Sequence, residues 1–523
     1  MCEWLEQACF YEIYPQSFYD TDGDGIGDLN GIIEKLDYIA RLGCNALWIN
    51  PCFVSPFYDA GYDVADYCKI APRYGTNEDA RRLFKKAHEK GIRVLFDLVP
   101  GHTSIDHEWF IRSMEKKKNE YSGRYIWTEN PWEHFAGMKN ITGYLNGICE
   151  RGTCAVNFYT TQPALNYGFA EPDPDKPWQI SPEHPDARAT KEAMWDIMEF
   201  WLSMGCDGFR IDMAHSMIKN DEDGKETIKF WQEIRRRLDT KFPEAVIISE
   251  WGEPDRSIEA GFHMDFLLHF GPSHYNDLFR DHPYFAGKGD LSEFIPYYKM
   301  VSKKAGDRGL ICIPSSNHDM ARISRHLSER ELKLAFAFLL SMPGAPFIYY
   351  GDEIGMRYME ELPSVEGGYE RTGSRTPMQW DRTLNAGFSS ARTQDLYLPV
   401  DPEEDYPDVA TQMSDPDSLY HTVKEQIRLR KEYKSLHNYA SVTFIQDGTD
   451  GKSLVYLREG RSGRKDDSVK ILVAINPSKE ERIIPLEGLR TDQLIYQCGQ
   501  VSAGQDRIEM EGESAAYFTV RED

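Results

Sequence analysis

The stretch GFRID, residues 208–212, reads first as a short internal strand. It follows a helical run, KEAMWDIMEFWLSMGCD (191–207), and its Phe209 and Ile211 supply one apolar face. Arg210 and Asp212 are two residues apart, so a strand turns both to the opposite face. Charges are seldom buried unless paired. Two readings follow: a structural ion pair, or a carboxylate kept ionised by its arginine for chemistry. The rest of the chain decides between them.

Working outward, seven further apolar segments have strand character. They are CFYEIY (9–14), ALWIN (46–50), VLFDLV (94–99), VIISEW (246–251), DFLLHF (265–270), LICIPS (310–315) and FIYYG (347–351). Amphipathic helical runs lie between most of them, such as LNGIIEKLDYIARLG (29–43), NEDARRLFKKAHEKG (77–91), TIKFWQEIRRRLDTKF (227–242) and ERELKLAFAFLLSM (329–342). Eight strands alternating with helices predict an α/β fold of the (β/α)8 TIM-barrel type. An open doubly wound sheet fits less well, because no glycine-rich phosphate turn follows a strand.

The alternation breaks once, after the third strand. Residues 103–188 are rich in Trp, Tyr, Asn, Gly and Pro and show no clean period, which reads as an inserted small domain. After residue 434 short strands (SVTFIQ, SLVYLREG, SVKILVAINP, RIIPL, QLIYQC, AAYFTV) are separated by DGTDGKS, GRSGRKDD and NPSKEE. That pattern predicts a C-terminal antiparallel β-sandwich over 435–523, leaving 1–102 and 189–434 to the barrel.

Lys and Arg number 60 against 85 Asp and Glu, a net charge of -25, which argues against nucleic acid and anionic membrane as partners. Many aromatics, 29 Tyr and 11 Trp, suit a neutral polar ligand such as a sugar. MCEWLEQACFYEIYPQ carries no basic segment followed by an apolar run, and no stretch has the length of a membrane span, so a cytoplasmic location is expected. The ten cysteines are scattered, and Cys149 and Cys154 of CERGTC lack other ligands at zinc spacing, so free thiols are expected.

In a (β/α)8 barrel the active site lies at the C-terminal ends of the strands. Four strand ends carry charge there: Asp97 and His102, Arg210 and Asp212, Glu250, and His318 with Asp319. One buried Asp–Arg pair is ordinarily structural. Four carboxylates, two imidazoles and a guanidinium on one rim are hard to explain as packing. Paired carboxylates without a metal-binding histidine cluster point to a glycosidic bond. Retaining enzymes hold the two about 5–5.5 Å apart, and adjacent strands lie about 4.8 Å apart, so Asp212 and Glu250 suit that gap. On this reading Arg210 keeps Asp212 ionised, while Glu250, next to Trp251, is expected to be raised in pKa and to act as acid, then base.

DLVPGH (97–102), GFRID (208–212), ISEW (248–251) and NHD (317–319), in this order, resemble the four signature segments of the α-amylase superfamily, glycoside hydrolase family 13. The resemblance implies Asp212 as nucleophile, Glu250 as acid/base and Asp319 as transition-state stabiliser. It implies that His102, Arg210 and His318 hold the sugar or the nucleophile, and that Asp97 is structural. QPALN (162–166) is similar to the QPDLN of the oligo-1,6-glucosidase and α-glucosidase branch, with Ala164 where Asp is usual. In that branch an Asp and an Arg close one end of the pocket. The matching residues are read as Asp63 of GYDVADY (61–67), beside Tyr62, and Arg375 of RTPMQWD (375–381). Met213 stands where α-1,6 members usually carry valine, and the segment between GDEIGM (351–356) and RTPMQW is short, which leaves linkage preference open.

DTDGDGIGDLNG (20–31) resembles an EF-hand loop at Asp20, Asp22, Asp24, Gly25 and Asp28, but Gly31 replaces the bidentate Glu and a strand precedes it. Four carboxylates in nine residues repel unless a cation bridges them. The loop is similar to the single structural calcium loop of the same branch, which implies the Ile26 carbonyl as a further ligand. Ca2+ is expected, with Mg2+ the alternative; solvated aspartates in a glycine-rich turn are the reading without a metal.

The function expected is a retaining exo-α-glucosidase acting on small oligosaccharides through a covalent β-glucosyl–Asp intermediate. Trehalose synthase and sucrose isomerase relatives, which transfer the glucosyl group, are the alternative, because RTPMQWD and NAGFS (385–389) are shared with trehalose synthases. Non-catalytic transporter subunits of the same fold rank below both, since they carry a membrane span and often lack the carboxylates. Oligomeric state is not legible in the sequence.

Overall fold

The computed structural model describes residues 2–449, 453–461, 469–486, 488–504 and 506–522. Eight parallel strands form one sheet: β1 (Phe10–Ile13), β2 (Ala46–Ile49), β3 (Arg93–Leu98), β4 (Gly208–Ile211), β5 (Val246–Ser249), β6 (Met264–Phe266), β7 (Leu310–Cys312) and β8 (Phe347–Tyr349). β1 to β7 pair in sequence order, and β8 pairs with β1. A parallel bridge from Pro314 to Phe347, with the Ser315 N–H on the Phe347 carbonyl at 2.9 Å, closes the ring between β7 and β8. The predicted barrel is therefore the observed one.

Local chemistry explains the units. α1 (Leu29–Leu42) starts at Asp28, whose side chain accepts from the Gly31 N–H, and ends at the left-handed Gly43. α2 (Asn77–His88) opens on a Thr76–Asp79 capping box and buries Ala80, Leu83, Phe84 and Ala87 against the barrel. β4 must begin with glycine: a Cβ on Gly208 would stand 2.0 Å from the Val246 carbonyl oxygen of β5.

Several strands end sooner than their apolar runs suggest. VIISEW stops being strand after Ser249, and DFLLHF after Phe266. The Glu250 N–H still reaches the Ile211 carbonyl, but the Trp251 N–H is taken by the Asp265 carboxylate at 3.1 Å, which ends the ladder. Those last residues leave the sheet and become the rim.

Within 103–188 lie a short helix, Glu108–Ser113, and an antiparallel hairpin, Gly143–Asn146 with Thr153–Val156. This stretch docks on the β3 rim through the His102–Ala164 bridge and the Leu165 N–H on the Gly101 carbonyl at 3.1 Å. At the C-terminus a five-stranded antiparallel sheet faces a three-stranded one, and Val455, Leu472 and Phe518 pack with Ile484, Ile508 and Met510 between them. The larger sheet is tied to the barrel where the Tyr517 hydroxyl donates to the Ala337 carbonyl. The separators DGTDGKS and GRSGRKDD extend outside the described residues. All ten cysteines are free thiols. No helix among the described residues is long and apolar enough to cross a membrane.

Candidate active site

Arg210 is buried at the end of β4 and serves three carboxylates at once. Its Nη1 lies 3.1 Å from Asp97 and 3.1 Å from Asp212, and its Nη2 lies 2.9 Å from Glu250. The guanidinium fork thus holds Asp212 and Glu250 side by side. Trp48 and Tyr62 donate to the far oxygen of Asp97 at 3.0 and 3.1 Å, which marks Asp97 as the anchor of the arginine. The Met213 N–H donates to Glu250 at 3.1 Å from a left-handed backbone, φ 41°. The expected protonation pattern is corrected here. Burial, and then the neighbouring Glu250 carboxylate, push the Asp212 carboxyl well above the usual range against the pull of Arg210. One guanidinium shared among three carboxylates does not offset burial and like charge at Asp212. The Trp251 ring meets Phe262 edge to face, and the Glu250 carboxylate meets Arg210 and the Met213 N–H.

Asp319 stands across the pocket among three cations: His318 Nε2 at 3.0 Å, Arg371 at 2.8 Å and Arg375 at 3.0 Å. Burial alone would raise its carboxyl, but His318, Arg371 and Arg375 outweigh burial and hold it well below the usual range. The other ring nitrogen of His318 lies 2.9 Å from the buried Glu12. Burial opposes charge on this ring; the Asp319 and Glu12 carboxylates override it and raise its pKa to about 9. Glu12 lies in the middle of a fully buried strand, a signal the sequence reading passed over.

A cavity of about 500 Å³ opens over these groups, lined among others by Asp212, Glu250, Asp319, His102, Tyr62 and Asp59. Its size suits a small-molecule site. Phe158, Phe270 and Tyr369 are partly exposed at its wall. Asp63 and Arg375 do not line it, and their expected pairing is corrected. The Asp63 carboxylate turns under its own loop and accepts from the N–H groups of Tyr58 and Asp59 and from the Ser55 hydroxyl, at 2.9–3.0 Å. Arg375 is buried and donates to the His318 carbonyl and Asp319. The pair in the pocket is Asp59 with Arg371, at 3.4 Å. Each lies four residues upstream of the expected one, just before GYDVADY and RTPMQWD, and Gln162 of QPALN donates to Asp59 at 2.8 Å. The tight turn at Ala60 and Gly61, both left-handed, aims the first aspartate rather than the second at the pocket. His102 donates to the Tyr62 carbonyl at 3.0 Å, and burial lowers its pKa to about 3, so the ring is neutral.

In the loop after β1, carboxylate oxygens of Asp20, Asp22 and Asp28 lie within 4.8 Å of one another. Asp24 is not one of this group: its Oδ1 accepts from the Ile26 N–H at 2.8 Å. Two of the three convergent carboxylates are buried, so the trio has the donor chemistry of a hard-cation site.

A family model described as alpha amylase, catalytic domain, matches residues 12–439. The chain belongs to the alpha-amylase family. It is a glycoside hydrolase, and its fold is the family's. Among curated alpha-amylase relatives, the oligo-1,6-glucosidase of Heyndrickxia coagulans is 32% identical, covering 92% of this chain and 93% of the relative. The trehalose synthase/amylase TreS of Mycolicibacterium smegmatis is 31% identical, covering 89% and 83%. Among solved structures, the trehalulose synthase of Pseudomonas mesoacidophila MX-45 superposes with a TM-score of 0.81 at 26% identity, covering 99% of each chain.

Proposed function

We propose that this alpha-amylase family member is a retaining, exo-acting α-glucosidase of short α-linked gluco-oligosaccharides. The observation that carries the reading is the Arg210 fork, which holds Asp212 beside Glu250 while Asp319 stands across the same pocket. Asp212 attacks the anomeric carbon, and the bond to the leaving oxygen breaks as Glu250 gives that oxygen its proton. Water then attacks the β-glucosyl ester, losing its proton to Glu250 and releasing Asp212 as carboxylate. Burial and like charge favour a proton shared within the Asp212–Glu250 pair, which suits a scheme in which the leaving oxygen takes its proton from that pair. Asp319, ionised by its three cations, faces the developing positive charge. Asp59 and Arg371 take the hydroxyls of the terminal sugar and end the pocket there.

A second reading, glucosyl transfer or isomerisation, has a specific support. The aromatic wall of Phe158, Phe270 and Tyr369 offers ring faces that retain a leaving sugar, and relatives named trehalose synthase are as similar as those named glucosidase. Asp212→Asn should fold and lose nearly all turnover. A 2-deoxy-2-fluoroglucosyl probe should add its mass to the peptide that contains Asp212, and normal turnover in the variant would sink the reading. Products from maltose, isomaltose and sucrose separate free glucose from a rearranged disaccharide.

We further propose that Asp20, Asp22 and Asp28 hold a structural divalent cation, calcium in preference to magnesium, since such a loop offers more oxygens than magnesium accepts from protein.

A further inference from the structure

Lys219 is fully buried, and no carboxylate pairs with it among the described residues. Its Nζ donates to the Ser216 carbonyl at 2.7 Å and to Asn157 Oδ1 at 2.9 Å. Asn157 comes from the inserted stretch and reaches across to His102: its Nδ2 lies 3.2 Å from His102 Nδ1 and 3.3 Å from the Ser216 hydroxyl. His102 Nε2 lies 3.0 Å from the Tyr62 carbonyl oxygen. The closeness of Asn157 needs Gly101, where a Cβ would stand 2.6 Å from Nδ2.

Donor and acceptor chemistry sets every proton in this chain. An ammonium only donates, so Asn157 must turn its oxygen to Lys219. The Asn157 amide nitrogen then faces His102 Nδ1, which must offer a lone pair. At the far side of the ring a carbonyl only accepts, so Nε2 must carry the hydrogen. The two ends of the ring require the same tautomer. We infer that Lys219 and Asn157 are positioning residues that lock His102 as the neutral imidazole with its proton on Nε2. An imidazolium would set Nδ1–H against the Asn157 N–H, and burial lowers the ring's pKa to about 3 in the same sense. Burial also lowers the Lys219 ammonium to about 7; as a neutral amine it keeps two N–H groups, enough for the Ser216 carbonyl and Asn157 Oδ1, so the lock survives the loss of its charge. The bearing on catalysis rests on the α-glucosidase reading, in which His102 is part of the wall around the reacting sugar.

The test reads the ring itself. In protein labelled with 15N-histidine and free of sugar, His102, assigned by its loss in His102→Gln, should show protonated Nε2 and bare Nδ1 from pH 5 to 8. Asn157→Asp, nearly isosteric, accepts from Nδ1 and should move the proton there or charge the ring at pH 6. Lys219→Met frees the amide to turn over and should give mixed tautomers. Asp212→Asn should leave the tautomer as in wild type while ending turnover, which separates this inference from the assignment of the nucleophile. Asn157→Asp should also lower kcat/KM on an aryl α-glucoside by roughly tenfold or more. A wild-type ring protonated on Nδ1, a ring that titrates between pH 5 and 8, or an Asn157→Asp spectrum identical to wild type overturns the lock. An altered tautomer with unchanged kcat/KM overturns its bearing on catalysis.

Discussion

The Arg371 guanidinium lies 3.4 Å from the Asp59 carboxylate, and its Nη1 lies 2.8 Å from Asp319. One side chain therefore joins the end of the pocket to a proposed catalytic carboxylate. Arg371→Met should raise KM for a disaccharide by about tenfold to a hundredfold, the size expected for a lost charge-assisted contact. Asp59→Asn should act in the same direction. With the end opened, maltoheptaose should yield products longer than glucose from the first turnovers; chromatography showing glucose alone from both variants would count against the closed end.

Asp63 should behave differently, because it organises a loop rather than facing the cavity. Its carboxylate accepts three hydrogen bonds, and burial nevertheless raises its pKa to about 6. Asp63→Ala leaves the N–H groups of Tyr58 and Asp59 without that acceptor, at a cost of about 1–3 kcal/mol. Denaturant unfolding should show this loss, while product distribution stays exo-type in the folded fraction.

His318 makes stability and activity depend on alkaline pH. Its folded pKa, about 9, lies above the ordinary 6.5, so its charge stabilises fully below pH 6.5 and is lost as pH rises through about 9. The effect is on the order of 3 kcal/mol. Glu12→Gln should destabilise the protein more at pH 6 than at pH 9.5 and should move the alkaline limb of kcat to lower pH. Equal losses at both pH values would show that the Glu12–His318 pair does not hold the charge.

Chelation tests the loop after β1. Calcium should raise the melting temperature of chelator-treated protein, by linkage to a site present only when folded. Asp22→Asn should abolish most of that rise, whereas Asp24→Asn should leave most of it, since Asp24 stands outside the convergent trio. Calorimetry showing equal losses for both variants would remove the distinction.

Periodicity was enough for the barrel. Apolar runs of five or six residues between amphipathic helices have one economical closure, and all eight predicted strands belong to one sheet that a bridge closes. Strand ends in such a barrel share one rim, so Asp212, Glu250 and Asp319 could be set together from their positions alone. What lay outside that logic depends on backbone turns and on shared partners. Whether Asp59 or Asp63 enters the cavity is decided by left-handed backbone at Ala60 and Gly61. That Arg210 divides itself among three carboxylates, or that Met213 turns its N–H to Glu250, follows from distances that no spacing encodes. The linear chain determined which groups gather at the rim, because side-chain period and strand order are local properties. Tertiary structure alone decided where each proton and each charge resides, because burial and long-range neighbours set those energies.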